Sequence, residues 1–461
     1  MVLTRVAGSF RDPAGFVFSR DGRLLRQVNR VHAETWDAVA ASDLFPALWD
    51  AGLLVHHEEV DVALGDQRAH VVIEPERITT LSQPHEWAPG QLRAAALATL
   101  EVQRTALDHG MTLRDASAHN IQFHHGRPVF IDTLSFEPLV EGRPWIAHGQ
   151  FCEQFLAPLA LQTLVDPRLR RLLVARLDGV ELDLASQLLP GRTKLRPGLA
   201  QHLHLHARAR GRGGSGGGGG SSREATFSHN ALVGLVDSLR RTVSKLEYRP
   251  SGTVWGDYYA EADHYVRDAM EAKVALVREH VATVAPEIVW DLGANTGRFA
   301  DLAVEAGATT VAWDIDVGAV EKAWQELAAG SPRDLLPLVL DLTNPSPGLG
   351  WAHAERPSLA DRGPVDLVLA LALVHHLSIG ANVPLPDVVA ELARLGRHVV
   401  VEWVPKGDPK VDVLLSTRED VFADYTREVF VEAVDRHFET VSVSPLPQSD
   451  RELFLLRRRD D

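Results

Sequence analysis

One cysteine, Cys152, stands among 461 residues, so no disulfide can form within the chain. That usage suits a reducing compartment, and a cytoplasmic protein is expected. No run of about 18 apolar residues occurs, so no helical membrane span is expected. No apolar core follows a basic start, because Arg11, Asp12, Arg20 and Asp21 interrupt the opening stretch, and no targeting segment is expected. Positive charge is short as well. The chain has 47 Lys and Arg against 62 Asp and Glu, a net charge of −15, which argues against a nucleic-acid scaffold. Lysine is missing altogether before Lys194. The remaining composition is that of a soluble globular protein, long enough for two or three domains with their own cores.

The boundary between them is marked by composition. From Gly213 to Ser222 the chain is glycine and serine only, which cannot bury apolar surface and reads as a flexible tether. The expected division is 1–206, a linker over 207–225, and a second domain over 226–461.

The most informative stretch is Val289 to Ala300. The apolar run Ile288-Val289-Trp290 leads into Asp291-Leu292-Gly293-Ala294-Asn295-Thr296-Gly297, and a helical pattern follows (Phe299, Leu302, Ala303, Ala306). The order is strand, glycine turn, helix. Gly293 and Gly297 allow a ligand close to the backbone. A second strand, Thr310 to Trp313, ends in Asp314, about the ~20 residues beyond Gly293 expected of an acid that grips ribose hydroxyls. The pyrophosphate fingerprint G-x-G-x-x-G is absent, which argues against NAD. Three more strands follow: Leu336–Leu340 ending in Asp341, Val365–Leu373 running into His375 and His376, and His398–Trp403 containing Glu402. A final antiparallel pair is expected over Phe438–Val443 and Leu453–Leu456.

The motif D-L-G-x-N-x-G with a downstream V-x-W-D-I-D resembles class I S-adenosylmethionine-dependent methyltransferases, and the likeness covers nearly all of 250–461. It implies an α/β fold with a Rossmann-like seven-stranded sheet and S-adenosyl-L-methionine as cofactor. The cofactor is expected on Asp291, Gly293, Ala294, Asn295 and Gly297, on Asp314 and Ile315, and on Asp341 and Leu342. Tyr258, Tyr259 and His264, before the first strand, are acceptor-site candidates on the same analogy. His375 and His376 stand beside the expected sulfonium as candidate bases. His376 is preferred slightly, with Glu402 able to orient a histidine or the substrate. No N-P-P-Y or Pro-Cys signature supports base methylation. A small-molecule or glycan hydroxyl is the expected acceptor, with carboxyl and amine acceptors open and no nucleic acid expected. The runs around His375 to Pro386 and Val401 to Lys410 resemble a bacterial methyltransferase-like group labelled nodulation-type. A cofactor-binding regulatory or scaffold protein without turnover is the alternative.

The first domain carries Arg114-Asp115-Ala116-Ser117-Ala118-His119-Asn120 and then Val129-Phe130-Ile131-Asp132. Asp115, Asn120 and Asp132 resemble the catalytic loop and metal aspartate of protein-kinase-like and aminoglycoside-phosphotransferase-like folds. The resemblance implies an α+β kinase-like domain. It departs at four places: no third-strand lysine, no glycine-rich loop, Leu113 in the histidine position, and Asp132-Thr133-Leu134 for D-F-G. A degenerate domain is expected, with Arg26 the one nearby cation. A bifunctional kinase–methyltransferase is the alternative.

His202, His204 and His206 alternate in H-L-H-L-H, which on a strand puts all three on one face. Three imidazoles can bind zinc. No cysteine or carboxylate partner is visible beside them, so a solvated or partner-facing edge and no metal are expected.

Overall fold

The computed structural model describes residues 3–208, 227–250, 264–416 and 418–459. Tyr258, Tyr259 and nearly all of the expected linker lie outside these. Two compact units divide the chain: Met1–Arg249 together with Leu349–Arg356, and Pro250–Gly348 together with Pro357–Asp461.

The first unit opens with a five-stranded antiparallel sheet made of β1 (Thr4–Arg5), β2 (Gly15–Arg20), β3 (Arg23–Asn29), β4 (His57–Val60) and β5 (Ala69–Pro75), in the order β1-β2-β3-β5-β4. β2 and β3 form a hairpin with Arg20 opposite Arg23, as the Asp21-Gly22 pair between two apolar runs predicts. Asp21 and Gly22 both take positive φ, 55° and 78°, the twist that suits a two-residue turn. Phe16, Phe18, Leu25 and Val72 bury one face. The apolar pattern from Trp36 to Gly52 suits one helix, but two form, Ala33–Ala40 and Leu44–Asp50. Asp43 breaks them apart at φ 58°, a left-handed conformation that Asp tolerates. Two short pairs follow, β6 (Met111–Leu113) with β9 (Phe136–Pro138), and β7 (Ile121–His124) with β8 (Arg127–Phe130).

Two expectations are corrected here. The helix His229–Ser244, expected to open the second domain, packs in the first unit on the helix Pro89–Asp108. Its buried stripe Leu232, Val236, Leu239 and Val243 needs an apolar partner, and Arg93 Nη2 donates to the Ser244 carbonyl at 3.0 Å. A glycine–serine run marks where chain cannot pack, which need not be where packing changes hands. The H-L-H-L-H run is helical, not a strand. Ala200–Leu205 is a π-helical segment that follows Pro197–Leu199 and runs on through His206. Alternation over five residues fits either period, and Pro197 starts a helix there.

The second unit is one seven-stranded sheet. Its strands are β10 (Ile288–Leu292), β11 (Thr309–Asp314), β12 (Leu335–Val339), β13 (Val365–Ala370), β14 (Gly396–Trp403), β15 (Phe438–Pro445) and β16 (Glu452–Arg458), in the order β12-β11-β10-β13-β14-β16-β15. The first five are parallel, and β16 alone is reversed, running antiparallel to both of its neighbours, β14 and β15. Val289, Leu367, Leu369 and Val400 form the buried centre, covered by Val277 and Val281 of the helix His264–Val284 and by Phe299 and Leu302 of the helix Arg298–Glu305. The chain starts in the middle at β10, moves outward to β12, then crosses to β13 on the other side. The strand order therefore reverses between β10 and β13, where open parallel sheets hold ligands at the strands' carboxyl ends.

Candidate active site

At that switch point β10 ends in Asp291 and Leu292, and the chain turns through Gly293 at φ 80° and Gly297 at φ 91°. Such backbone favours glycine. A Cβ on Gly293 would meet Leu373 only in ordinary contact at 3.5 Å, so it is the positive φ and not lack of space that calls for glycine there. Two amides pin the turn to β11, with Gly293 N and Ala294 N donating to the Trp313 carbonyl at 2.8 and 2.9 Å. Gly297 caps the helix Arg298–Glu305.

Asp314 closes β11. Its Oδ2 accepts the Asn295 amide at 2.7 Å and its Oδ1 accepts the Asp316 amide at 2.8 Å. Each oxygen keeps a further lone pair for a hydroxyl donor. Burial pushes the Asp314 carboxyl above its ordinary range, against these amides. Asp291 is more extreme. It is fully buried, its Oδ2 has no hydrogen-bond partner among the described residues, and burial lifts its pKa to about 7 against the pull of Lys273.

Two cavity lobes share Gly293, Asp314, Ile315, Leu373 and His376. One, of about 340 Å³, adds Asp341 and Leu342, and the other, of about 280 Å³, adds Asp291, Asn295, His375 and Lys273. Eight of the nine residues expected to hold a cofactor therefore converge on one face; Gly297, the ninth, serves as the helix cap. Ile315 is half exposed, an aliphatic wall at the mouth. Asp341 is occupied locally, accepting from the Thr343 amide at 3.0 Å and its hydroxyl at 2.6 Å.

The histidine pair separates by environment. The rings lie 4.2 Å apart. His375 is buried, and burial drops its pKa to about 3. His376 is lowered too, by burial and then by Lys410, but it lines both lobes and opens the π-helical turn His376–Gly380. π-turns recur at functional sites. Ala372, two residues past β13, holds φ 50°, a conformation that costs a non-glycine residue about 1–2 kcal/mol.

Glu402 does not orient a histidine. Its oxygens go to two cations, Lys273 Nζ at 2.5 Å and Arg451 Nη1 at 3.1 Å, and Arg451 also grips Asp408 at 2.7 and 2.9 Å. Burial would raise the Glu402 carboxyl, but the two cations outweigh it and hold it low. Sequence reasoning missed Lys273, Arg451 and Asp408. Lys273 carried a signal: it lies between Met270 and Val277 on the apolar stripe of its helix, where a charge must be buried and paired. His264 is the first residue of the same helix, and its side chain lies outside those described.

In the first unit Asn120 and Asp132 meet on Ser135, and Asp115 adjoins them through the Asn120 side chain. Asn120 Nδ2 donates to Ser135 Oγ at 3.4 Å, and that hydroxyl donates to Asp132 Oδ2 at 2.5 Å. Asp132 is also ion-paired with Arg26 of β3. Burial would raise its carboxyl, but Arg26 and the Ser135 hydroxyl outweigh it. Asp115 is raised by burial and by the neighbouring Asp132, and it accepts from Gln150 at 2.8 Å. A further cation arrives from far along the chain. Arg356 is desolvated in the same unit, within the electrostatic reach of Asp115 and Asp132, while its neighbour Glu355 pairs with Arg11 at 2.5 Å.

No protein-family model matches the chain. Among solved structures, it is similar to magnesium protoporphyrin IX methyltransferase from Synechocystis PCC 6803 with bound SAH, at 19% identity over 43% of this chain and 89% of that one, TM-score 0.31. It is also similar to the N-methyltransferase NodS from Bradyrhizobium japonicum WM9, at 11% identity over 42% and 97%, TM-score 0.30. Likeness to the nodulation protein NoeA of Rhizobium meliloti (strain 1021) runs end to end, with 36% identity over 464 residues covering 99% of this chain and 96% of that protein. At that identity and coverage the chain belongs to the NoeA nodulation-protein family.

Proposed function

We propose that the second unit binds S-adenosyl-L-methionine and methylates a hydroxyl of a small molecule or glycan. The observation that carries this reading is the convergence of Gly293, Asp314, Asp341 and His376 on one cavity at the carboxyl edge of the parallel strands. The residues fit the cofactor. Asp314 has lone pairs left for two ribose hydroxyls. Ile315 and Leu342 offer apolar walls to a base. The buried Asp291 carboxylate, with an oxygen unpartnered among the described residues, suits a cationic ligand group. When bound, the cofactor supplies an activated methyl group. The chain's own part is to hold the acceptor in line and remove its proton, and positioning alone can contribute several kcal/mol. His376 is the base on this reading, since it reaches both lobes and its lowered pKa keeps it neutral at pH 7.

Calorimetry with S-adenosylhomocysteine on the full chain is the test. Binding is expected, and Asp314→Ala should weaken it about 10- to 100-fold, the loss of hydrogen bonds to a charged acceptor. No heat at millimolar ligand, with folded protein, overturns the reading. With turnover in hand, His376→Ala should cost ~10²–10⁴ in kcat and His375→Ala less. The rate should rise through a pKa below 6.5 and stay flat above it. Binding without any methyl transfer to a metabolite extract would favour the regulatory alternative.

The first unit, on this reading, is a kinase-like fold that does not transfer phosphoryl groups. The carboxylate that would hold Mg²⁺ is already neutralised by Arg26, and Arg26 cannot then serve ATP phosphates. Thermal-shift titration of the full chain with Mg·ATP should show no stabilisation. A clear Mg²⁺-dependent shift, lost in Asp132→Ala, would make the bifunctional alternative the better reading.

A further inference from the structure

The helical part of the first unit brings together residues that no functional reading has used. His148 and Cys152 are four apart on one helix, and His202 and His206 are four apart on another. That spacing puts both members of each pair on one helix face. Both helices depart from α geometry at this point, with π-helical segments over Cys152–Leu156 and Ala200–Leu205. The ligand atoms of His148, Cys152 and His206 all lie within 4.8 Å of one another. The His148 and His206 rings are stacked at 5.1 Å, and the His202 ring meets His148 edge-on at 5.5 Å.

Two of the separations match the edges of a metal's ligand shell. A tetrahedral zinc with Zn–N of about 2.05 Å and Zn–S of about 2.3 Å has edges of roughly 3.3 Å between nitrogens and roughly 3.6 Å between nitrogen and sulfur. His148 Nε2 stands 3.3 Å from His202 Nδ1 and 3.7 Å from Cys152 Sγ. The other nitrogen of His202 lies 2.9 Å from Ser238 Oγ. With Nε2 donating there, Nδ1 presents its lone pair toward His148, the outer-sphere arrangement that orients a ligating imidazole. His204 is excluded, since its two nitrogens meet Ser186 Oγ at 2.8 Å and Thr193 Oγ1 at 2.9 Å.

We propose that His148, Cys152 and His206 form a structural site for a zinc-type divalent metal ion, with His202, whose Nδ1 adjoins His148, turning in as the fourth donor when the ion binds. Binding takes the thiol proton of Cys152 to solvent and leaves the thiolate as the charged ligand. The site staples the helix through Cys152 to the helix through His206, near the end of the chain segment that closes the first unit's N-terminal portion. Cys152 is fully buried and four donors are supplied by protein, so no position is left for a substrate. The role is structural and independent of the methyl-transfer reading.

The full chain, purified without a histidine tag, is stripped with chelator and titrated with zinc, with bound metal counted by elemental analysis. One zinc per chain is expected, with a rise in thermal midpoint on reloading. Cobalt(II) in place of zinc should give the intense visible bands of tetrahedral coordination and a thiolate-to-cobalt band in the near ultraviolet. Cys152→Ser should remove the thiolate band, and Cys152→Ser and His206→Ala should each weaken binding by roughly 100-fold or more, beyond the 10–100-fold typical of outer-sphere partners. His204→Gln should keep full stoichiometry. The cobalt spectrum of the wild-type protein decides the matter even where a variant fails to fold. A wild-type chain that takes up no metal at micromolar zinc, or one whose cobalt spectrum lacks a thiolate band, overturns the proposal, and so does undiminished binding by folded Cys152→Ser.

Discussion

Lys273→Met is expected to destabilise the second unit by about 3–5 kcal/mol, the usual cost of removing one partner from a buried ion pair. Glu402 is fully buried, and its Oε2 has Lys273 at 2.5 Å as its hydrogen-bond donor. Arg451 remains on Oε1, but it is shared with Asp408, so one cation is left among two carboxylates. Lys273 also lies over the Phe299 ring at 4.8 Å, beside the turn that carries Asn295, and its charge opposes the burial that raises Asp291. The loss should therefore reach the cofactor site as well as the core. For a unit of this size each kcal/mol shifts the thermal midpoint by about 2–4 °C, so a fall on the order of 10 °C is expected. The double variant Lys273→Met/Glu402→Gln should recover much of it, because the uncompensated charge is gone. Tryptophan fluorescence reports both units, since Trp36, Trp87 and Trp145 are buried in the first and Trp290, Trp313 and Trp403 in the second, so calorimetry is run beside it and the shifted transition is the one expected of the second unit. A single variant as stable as the wild type, or a double variant no better than the single one, would mean that Glu402 is not held by this pair.

The second unit was legible because its signals are local. A buried parallel strand is a continuous apolar run, a glycine turn follows it, and the acids sit at strand ends, so β10 to β14 and the residues Gly293, Asp314 and Asp341 follow from adjacent residues. What escaped the sequence depends on contacts between distant segments. Glu402 read as a histidine's partner because both stand at strand ends; only the helix His264–Val284, packed across the sheet, supplies the lysine that claims it. Cys152 and His206 are 54 residues apart, and no local pattern pairs them. The H-L-H-L-H run failed for a different reason. Its two-residue period was read where the helical four-residue period pairs His202 with His206. Arg356 is the longest-range case, since a short excursion from the second unit's sequence is built into the first. The helix His229–Ser244 went to the first unit because its apolar stripe found the helix Pro89–Asp108, a choice made by packing surface and not by nearness to the tether.

Asp291→Asn should stabilise the protein by an amount that grows with pH. The carboxyl has a pKa near 3.8 in an unfolded chain and about 7 in the folded one, chiefly because burial penalises its ionised form. A folded-state pKa raised in this way means that the folded state binds the proton more tightly. Below about pH 4 both states are protonated and the residue costs nothing. Between about pH 4 and 7 the unfolded chain ionises first and the penalty accumulates. Above pH 7 both are ionised and the penalty is full, on the order of 4 kcal/mol at about 1.36 kcal/mol per pH unit. Asparagine keeps the shape and removes the charge, so the variant and the wild type should have nearly the same unfolding midpoint at pH 4. At pH 8 the variant should be several kcal/mol more stable in the absence of ligand. Urea unfolding of both proteins at the two pH values measures it, and a difference that stays flat with pH would remove the buried charge as its cause. The same substitution should weaken S-adenosylhomocysteine binding, since the carboxylate that costs the fold stability is the group offered to a cationic ligand group, here the α-ammonium. A variant that is both more stable and a poorer binder identifies Asp291 as a residue kept at the expense of stability for the sake of the site.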